Sequence, residues 1–135
     1  MRQHCMEDKA FVSLRDFLKL LLNTDNAIDK AHDNGLIDLY MTEHSEENIL
    51  RKDAARILHL YLKNISHIKD EENISKASVL KDLYDCRVCA DHIAQVYLKG
   101  VMKGYDYSGG LMIFDPNVEI TAEEAREAIS KAIAL

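Results

Sequence analysis

Two thiols three residues apart, Cys86 and Cys89, with His92 three further on, are the side chains here best suited to redox or metal chemistry. A C-x-x-C pair can cycle as a dithiol or supply two of the four ligands of a zinc site. A second ligand pair is missing, and so is the βαβ context of a redox domain. The pair therefore reads as buried helical thiols that coordinate no metal. The six histidines (His4, His32, His44, His59, His67 and His92) are scattered. None has H-E-x-x-H spacing, so each reads as a surface or partly buried residue. Asp25, Asp29, Asp33 and Asp38 invite a calcium reading, but the glycine and terminal glutamate of an EF-hand loop are not at the required offsets. A solvated acidic face fits them better. No nucleophile–base pair and no paired-carboxylate motif can be placed, so an enzyme is the least supported class and no cofactor is called for.

Composition bounds the scaffold for these residues. A chain of 135 residues makes one domain, or at most two very small ones, and 47% hydrophobic with 30% charged residues is ordinary for a protein that closes a core. One proline and five glycines are too few for the tight turns of an all-β fold. A net charge of −6 gives no reason to expect nucleic acid or an anionic membrane as partner. No apolar run approaches the roughly 18 residues of a membrane span, so no insertion is expected. The first nine residues lack the apolar centre of a signal peptide. Either the protein is intracellular or it is a module of a longer secreted chain. With three cysteines, at least one thiol stays unpaired.

The elements that must position the candidates are helices. Leu14, Phe17, Leu18, Leu21 and Leu22 form an amphipathic stripe over 14–22. Ala54, Ala55, Ile57, Leu58, Tyr61 and Leu62 do so over 51–63, and Ala125, Ala128, Ile129, Ala132 and Ile133 over 122–134. Two further helices read at 25–36 and 87–101, and a short one at 76–84. The stretch Ser66–Asn73 is polar and reads as a loop. The spacing therefore predicts an all-α fold with no sheet beyond a short two-stranded pairing.

Three of these helices begin alike. Thr121-Ala122-Glu123-Glu124 is a full capping box, and Ser13-Leu14-Arg15-Asp16 a weaker one. Leu50-Arg51-Lys52-Asp53 keeps the acid but has lost the cap hydroxyl. Aligning Ser13, Leu50 and Thr121 brings Phe17, Ala54 and Ala125 into register. The other two helices repeat at an offset of 65: Ile28, Ala31, Gly35, Leu36 and Ile37 match Ile93, Val96, Gly100, Val101 and Met102. Gly35 and Gly100 fall where a left-handed residue ends a helix. The expected organisation is a partial repeat at 10–24, unit one at 25–65 and unit two at 79–135, with the capped helices as a small central bundle.

Gly100-Val101-Met102-Lys103-Gly104-Tyr105-Asp106, then Phe114-Asp115-Pro116-Asn117, then Ile120-Thr121-Ala122-Glu123-Glu124-Ala125 resembles the S-layer homology (SLH) motif. Lys81-Asp82-Leu83 looks like the motif's opening, and Cys89-Ala90 stands where it often has Trp-Ala. Unit one resembles a worn copy, keeping Gly35-Leu36-Ile37 and Ile49 to Ala55. Phe11 to Phe17 is similar to a terminal piece without its first helix.

The resemblance implies tandem helix–loop–helix SLH-like repeats around a small central helical bundle. It also implies a non-catalytic module holding anionic secondary cell-wall polysaccharide in grooves between repeats. An arginine fork suits a sugar carboxylate. Carried over, Arg51 takes the arginine position, and Asp82, Gly104 and Tyr105 take the facing positions of the next repeat. The other reading of Arg51 is a solvated arginine at a helix start. The equivalent positions elsewhere are Leu14 and Ala122, which leave one groove with its charge. Tyr105-Asp106-Tyr107-Ser108-Gly109-Gly110 reads either as a plain loop or as a rim whose rings stack on pyranoses. Two classes stay open: a wall-polymer anchor at the bacterial cell surface, and a degenerate SLH-like protein-interaction or scaffolding domain, cytoplasmic if Met1 is the native start.

Overall fold

The first helix starts where its cap chemistry puts it: the Ser13 hydroxyl accepts from the Asp16 N–H at 3.2 Å. The computed structural model describes residues 10–135, so the readings of Met1–Lys9, His4 among them, lie outside the described residues. Helix α1 spans Leu14–Leu22 and ends on Asn23 at φ 53°. It buries all five residues of its predicted stripe. Helix α2 spans Ala27–Asp33 and α3 Leu39–Glu43. Helix α4 spans Arg51–Asn64, α5 Arg87–Leu98 and α6 Ala122–Ala134. Strands β1 (Tyr105–Asp106) and β2 (Met112–Ile113) pair antiparallel. The molecule is mainly helical, with this one small sheet among the described residues.

Three boundaries differ from expectation for a physical reason. The expected helix at 76–84 is two 3-10 turns, Ser75–Val79 and Leu83–Asp85. Leu80 between them is extended because it bridges Met112, while the Lys81 N–H donates to the Met112 carbonyl at 2.8 Å. Helices α2 and α5 stop short of 36 and 101, because Gly35 and Gly100 take φ of 76° and 75°. Both ends close with equivalent bonds: Leu36 N–H to the Ala31 carbonyl, and Val101 N–H to the Val96 carbonyl, each at 2.9 Å. Helix α3 carries no apolar stripe and buries none of its residues. It rests on its cap, the Asp38 carboxylate accepting from Met41 N–H at 2.9 Å.

The segments just before α1, α4 and α6 pair with one another. Phe11 bridges Thr121, Ser13 bridges Asn48 and Leu50 bridges Glu119, all antiparallel. The first amide of each helix donates into this ring. Leu14 N–H reaches Glu47 C=O at 3.0 Å, Arg51 reaches Val118 at 2.8 Å and Ala122 reaches Ala10 at 2.7 Å. Such amides ordinarily lack a backbone partner. Helix α6 packs on both α1 and α4, and α4 packs on α5. Phe17, Leu21, Ile57, Leu58, Ala128 and Ile129 are all buried in the core. Ile133, expected in the α6 stripe, is instead exposed, one position round from buried Ala132.

Candidate functional site

Arg51 is the first residue of α4, and only 2% of it is exposed. It is neither solvated nor open. Its Nε donates to the Phe114 carbonyl at 2.9 Å, and Nη2 to the Lys103 carbonyl at 2.7 Å. Nη1 pairs with Glu124 Oε2 at 3.1 Å. The guanidinium carbon lies 4.4 Å from the centroid of each of two rings, Tyr105 and Phe114. A planar cation over two aromatic rings with three acceptors is well compensated for its loss of water.

Glu124 is shared between two tasks. Its Oε1 accepts from Thr121 N–H at 3.3 Å while Glu124 N–H donates to the Thr121 hydroxyl at 3.1 Å, the capping box expected from sequence. Its Oε2 takes Arg51 and the Tyr105 hydroxyl together. Burial and the hydrogen bond to Glu124 push the Tyr105 phenol up to about 12, so it stays a donor at neutral pH. At α4 only the acid half of the box exists: Asp53 Oδ2 accepts from Leu50 N–H at 3.4 Å.

Asp82 holds the backbone at Phe114. Its two carboxylate oxygens accept from the Phe114 and Asp115 amides, both at 2.8 Å, which fixes the loop that lays Phe114 over Arg51. Gly104 has no room for a side chain: a Cβ there would meet Leu80 Cδ2 at 2.6 Å and the Ile113 carbonyl at 2.9 Å. Arg51, Gly104 and Tyr105 thus come together, and Asp82 joins them through Phe114. Phe114, Glu124 and the Lys103 carbonyl complete the group. Sequence reasoning counted Glu124 only as a cap, because nothing local shows that its second oxygen reaches α4.

The space beside Arg51 is about 20 Å³, bounded by Lys103, Glu124, Glu127 and Lys131 among others. That holds about one water, not a sugar ring. Of the residues that bound this space, Lys103 and Lys131 are exposed. The four aspartates Asp25, Asp29, Asp33 and Asp38 are exposed.

Two readings need correction. Cys86 and Cys89 are not free thiols but are joined as a disulfide at the start of α5. His59 is not near the surface: 4% of it is exposed. Its Nδ1 lies 2.8 Å from His92 Nδ1, and its Nε2 2.7 Å from Asp70 Oδ1. No motif links residues 59, 70 and 92: the packing of α4 on α5 brings His59 to His92, and the 66–73 loop brings Asp70 to His59. Among the described residues, no group of three or more His, Cys, Asp or Glu side chains is placed to hold a metal ion. None of the described helices is long and apolar enough to cross a membrane.

Comparison of the sequence with protein-family models and with curated proteins yields no match. Among solved structures, the chain is similar to an undecaheme cytochrome from the S-layer of Carboxydothermus ferrireducens. The TM-score is 0.55 and the identity 17%, over 90% of this chain and 20% of that one. The chain therefore spans about a fifth of that cytochrome's length, and the likeness is one of fold alone.

Proposed function

We propose that this chain is an SLH-like module that binds anionic cell-wall polysaccharide and so anchors a larger protein at a bacterial surface. In this reading the chain is built of tandem SLH-like repeats around the ring of pre-helix segments. The equivalent closing bonds of α2 and α5 support that organisation. The observation that carries the reading is the meeting of Arg51 with the Gly104-Tyr105 loop, which brings together residues far apart in sequence at the positions the motif resemblance implies. Arg51 then shapes the groove wall, and the exposed lysines beside it meet the sugar carboxylates.

One observation favours a second reading, a degenerate SLH-like interaction or scaffolding domain without a sugar ligand. Each nitrogen of the Arg51 fork already has a protein acceptor. A pull-down on purified cell-wall polymer separates the two. The anchor reading expects retention of the wild type and loss of affinity of roughly tenfold for the double variant Lys103→Ala/Lys131→Ala, about 1.4 kcal/mol. Wild type that passes through unretained would leave the interaction domain as the better account.

A further inference from the structure

Helix α5 begins on a cysteine. Cys86 is the residue before its first turn, Cys89 lies within that turn, and the two sulfurs are bonded. Both are half-buried and open onto a cavity of about 370 Å³ shared with Lys52, Arg56 and His92. Such a volume admits a small molecule or a short stretch of peptide. A helix N-terminus stabilises a thiolate there, because its free amide N–H groups point at the sulfur. Cys86 makes no side-chain cap bond in the disulfide form, so reduction releases a sulfur to accept one.

Lys52 and Arg56 line the same cavity, and a cation beside a sulfur favours its thiolate, while Asp53 opposes it. His92 lines the cavity as well; burial, then His59 and Arg56, push it down to about 4, so it adds no charge there at neutral pH.

We propose that Cys86–Cys89 is a thiol–disulfide exchange site that takes two electrons from a dithiol. One thiol of the dithiol loses its proton to solvent, and its sulfur attacks Cys86 Sγ. The Cys86–Cys89 bond breaks, and its electron pair leaves on Cys89 Sγ, which takes a proton from solvent. The second thiol loses its proton to solvent and attacks the sulfur of its own partner in the mixed disulfide. Cys86 is expelled as a thiolate onto the start of α5. The dithiol is oxidised to a disulfide by two electrons, and the cysteine pair is reduced by the same two.

The test uses the full chain in a Cys5→Ser background, so that only the helix pair is read. The protein is titrated with dithiothreitol, and separately with a peptide bearing a C-x-x-C dithiol; the faster reductant identifies the source. Thiols are counted by mass after maleimide labelling, with far-UV circular dichroism on the same samples. The expected result is reversible two-electron reduction with the helical signal intact. Reduction by neither dithiol, or only as the helices melt, makes the bond a structural staple and overturns the proposal. Cys89→Ser should capture oxidised glutathione as a mixed disulfide at Cys86 at least about tenfold faster than Cys86→Ser does at Cys89. Equal capture removes Cys86 as the exchanging sulfur.

Discussion

At the scale of single residues, Arg51 is the side chain on which most of the site depends. Removing it leaves Glu124 facing a lost cation and leaves two carbonyls, Phe114 and Lys103, without their donors. Breaking a buried pair in this way costs about 3–5 kcal/mol. Urea unfolding of Arg51→Ala should show a loss of that order; a loss near that of an exposed ion pair, under about 1 kcal/mol, would mean that the cage contributes little. Arg51→Ala is therefore a poor probe of ligand binding, which is why the exposed lysines carry that test. His92 makes a second residue-scale prediction. Its pKa is lowered from 6.5 to about 4, so the folded state binds the proton more weakly than the unfolded chain. Stability from this group is present above about pH 6.5 and is lost as pH falls toward 4. Asp70, also lowered, adds a loss in the same direction at more acid pH. Thermal unfolding followed from pH 7 to pH 4 should show a steeper fall for wild type than for His92→Gln, and parallel curves would sink the assignment.

At the scale of elements, the capped helices hold the core and the loops are held by buried polar side chains. Leu58 is fully buried on α4, and Leu58→Ala should cost about 2–5 kcal/mol by denaturant unfolding. A loss below about 0.5 kcal/mol, typical of surface positions, would place the stripe outside the core. The stretch 66–73, polar in sequence and a loop in the fold, is tied down by Gln95 on α5. Its amide oxygen accepts from Glu71 N–H at 2.8 Å, and its amide nitrogen donates to the Glu71 carbonyl at 3.0 Å. That clamp keeps Asp70 within reach of His59. The sequence carries no local sign of it, because a buried glutamine on a helix looks like any other polar residue until its partner is known.

At the scale of the whole molecule, the ring of pre-helix segments joins the two ends of the chain to its middle. Ala10, Glu47 and Val118 each accept from the first amide of another segment's helix. First-turn amides normally exchange with solvent quickly, since the helix offers them no partner. Here the amides of Leu14, Arg51 and Ala122 should exchange as slowly as mid-helix amides of α4, by hydrogen exchange read with nuclear magnetic resonance. Fast exchange at all three would mean that the ring opens independently of the core.

The amphipathic helices over 14–22, 51–63 and 122–134, their caps at Ser13 and Thr121, and the stops at Gly35 and Gly100 were all determined by the sequence itself. Each depends on interactions within a few residues: a 3.6-residue apolar period, a hydroxyl reaching the third amide, a glycine tolerant of positive φ. The sequence also pointed to Arg51, Asp82, Gly104 and Tyr105 as residues that belong together, through the motif they resemble. What those residues do to one another was decided by tertiary structure. Whether Arg51 faces solvent, a ligand or Glu124 depends on where a loop more than 50 positions away lays Phe114 and Lys103. The breaking of the 76–84 segment into two turns and the Asp70–His59–His92 chain have the same origin. Each comes from a partner distant in sequence or from an approach geometry that local periodicity does not encode, and burial makes that partner's hydrogen bond outweigh local preference.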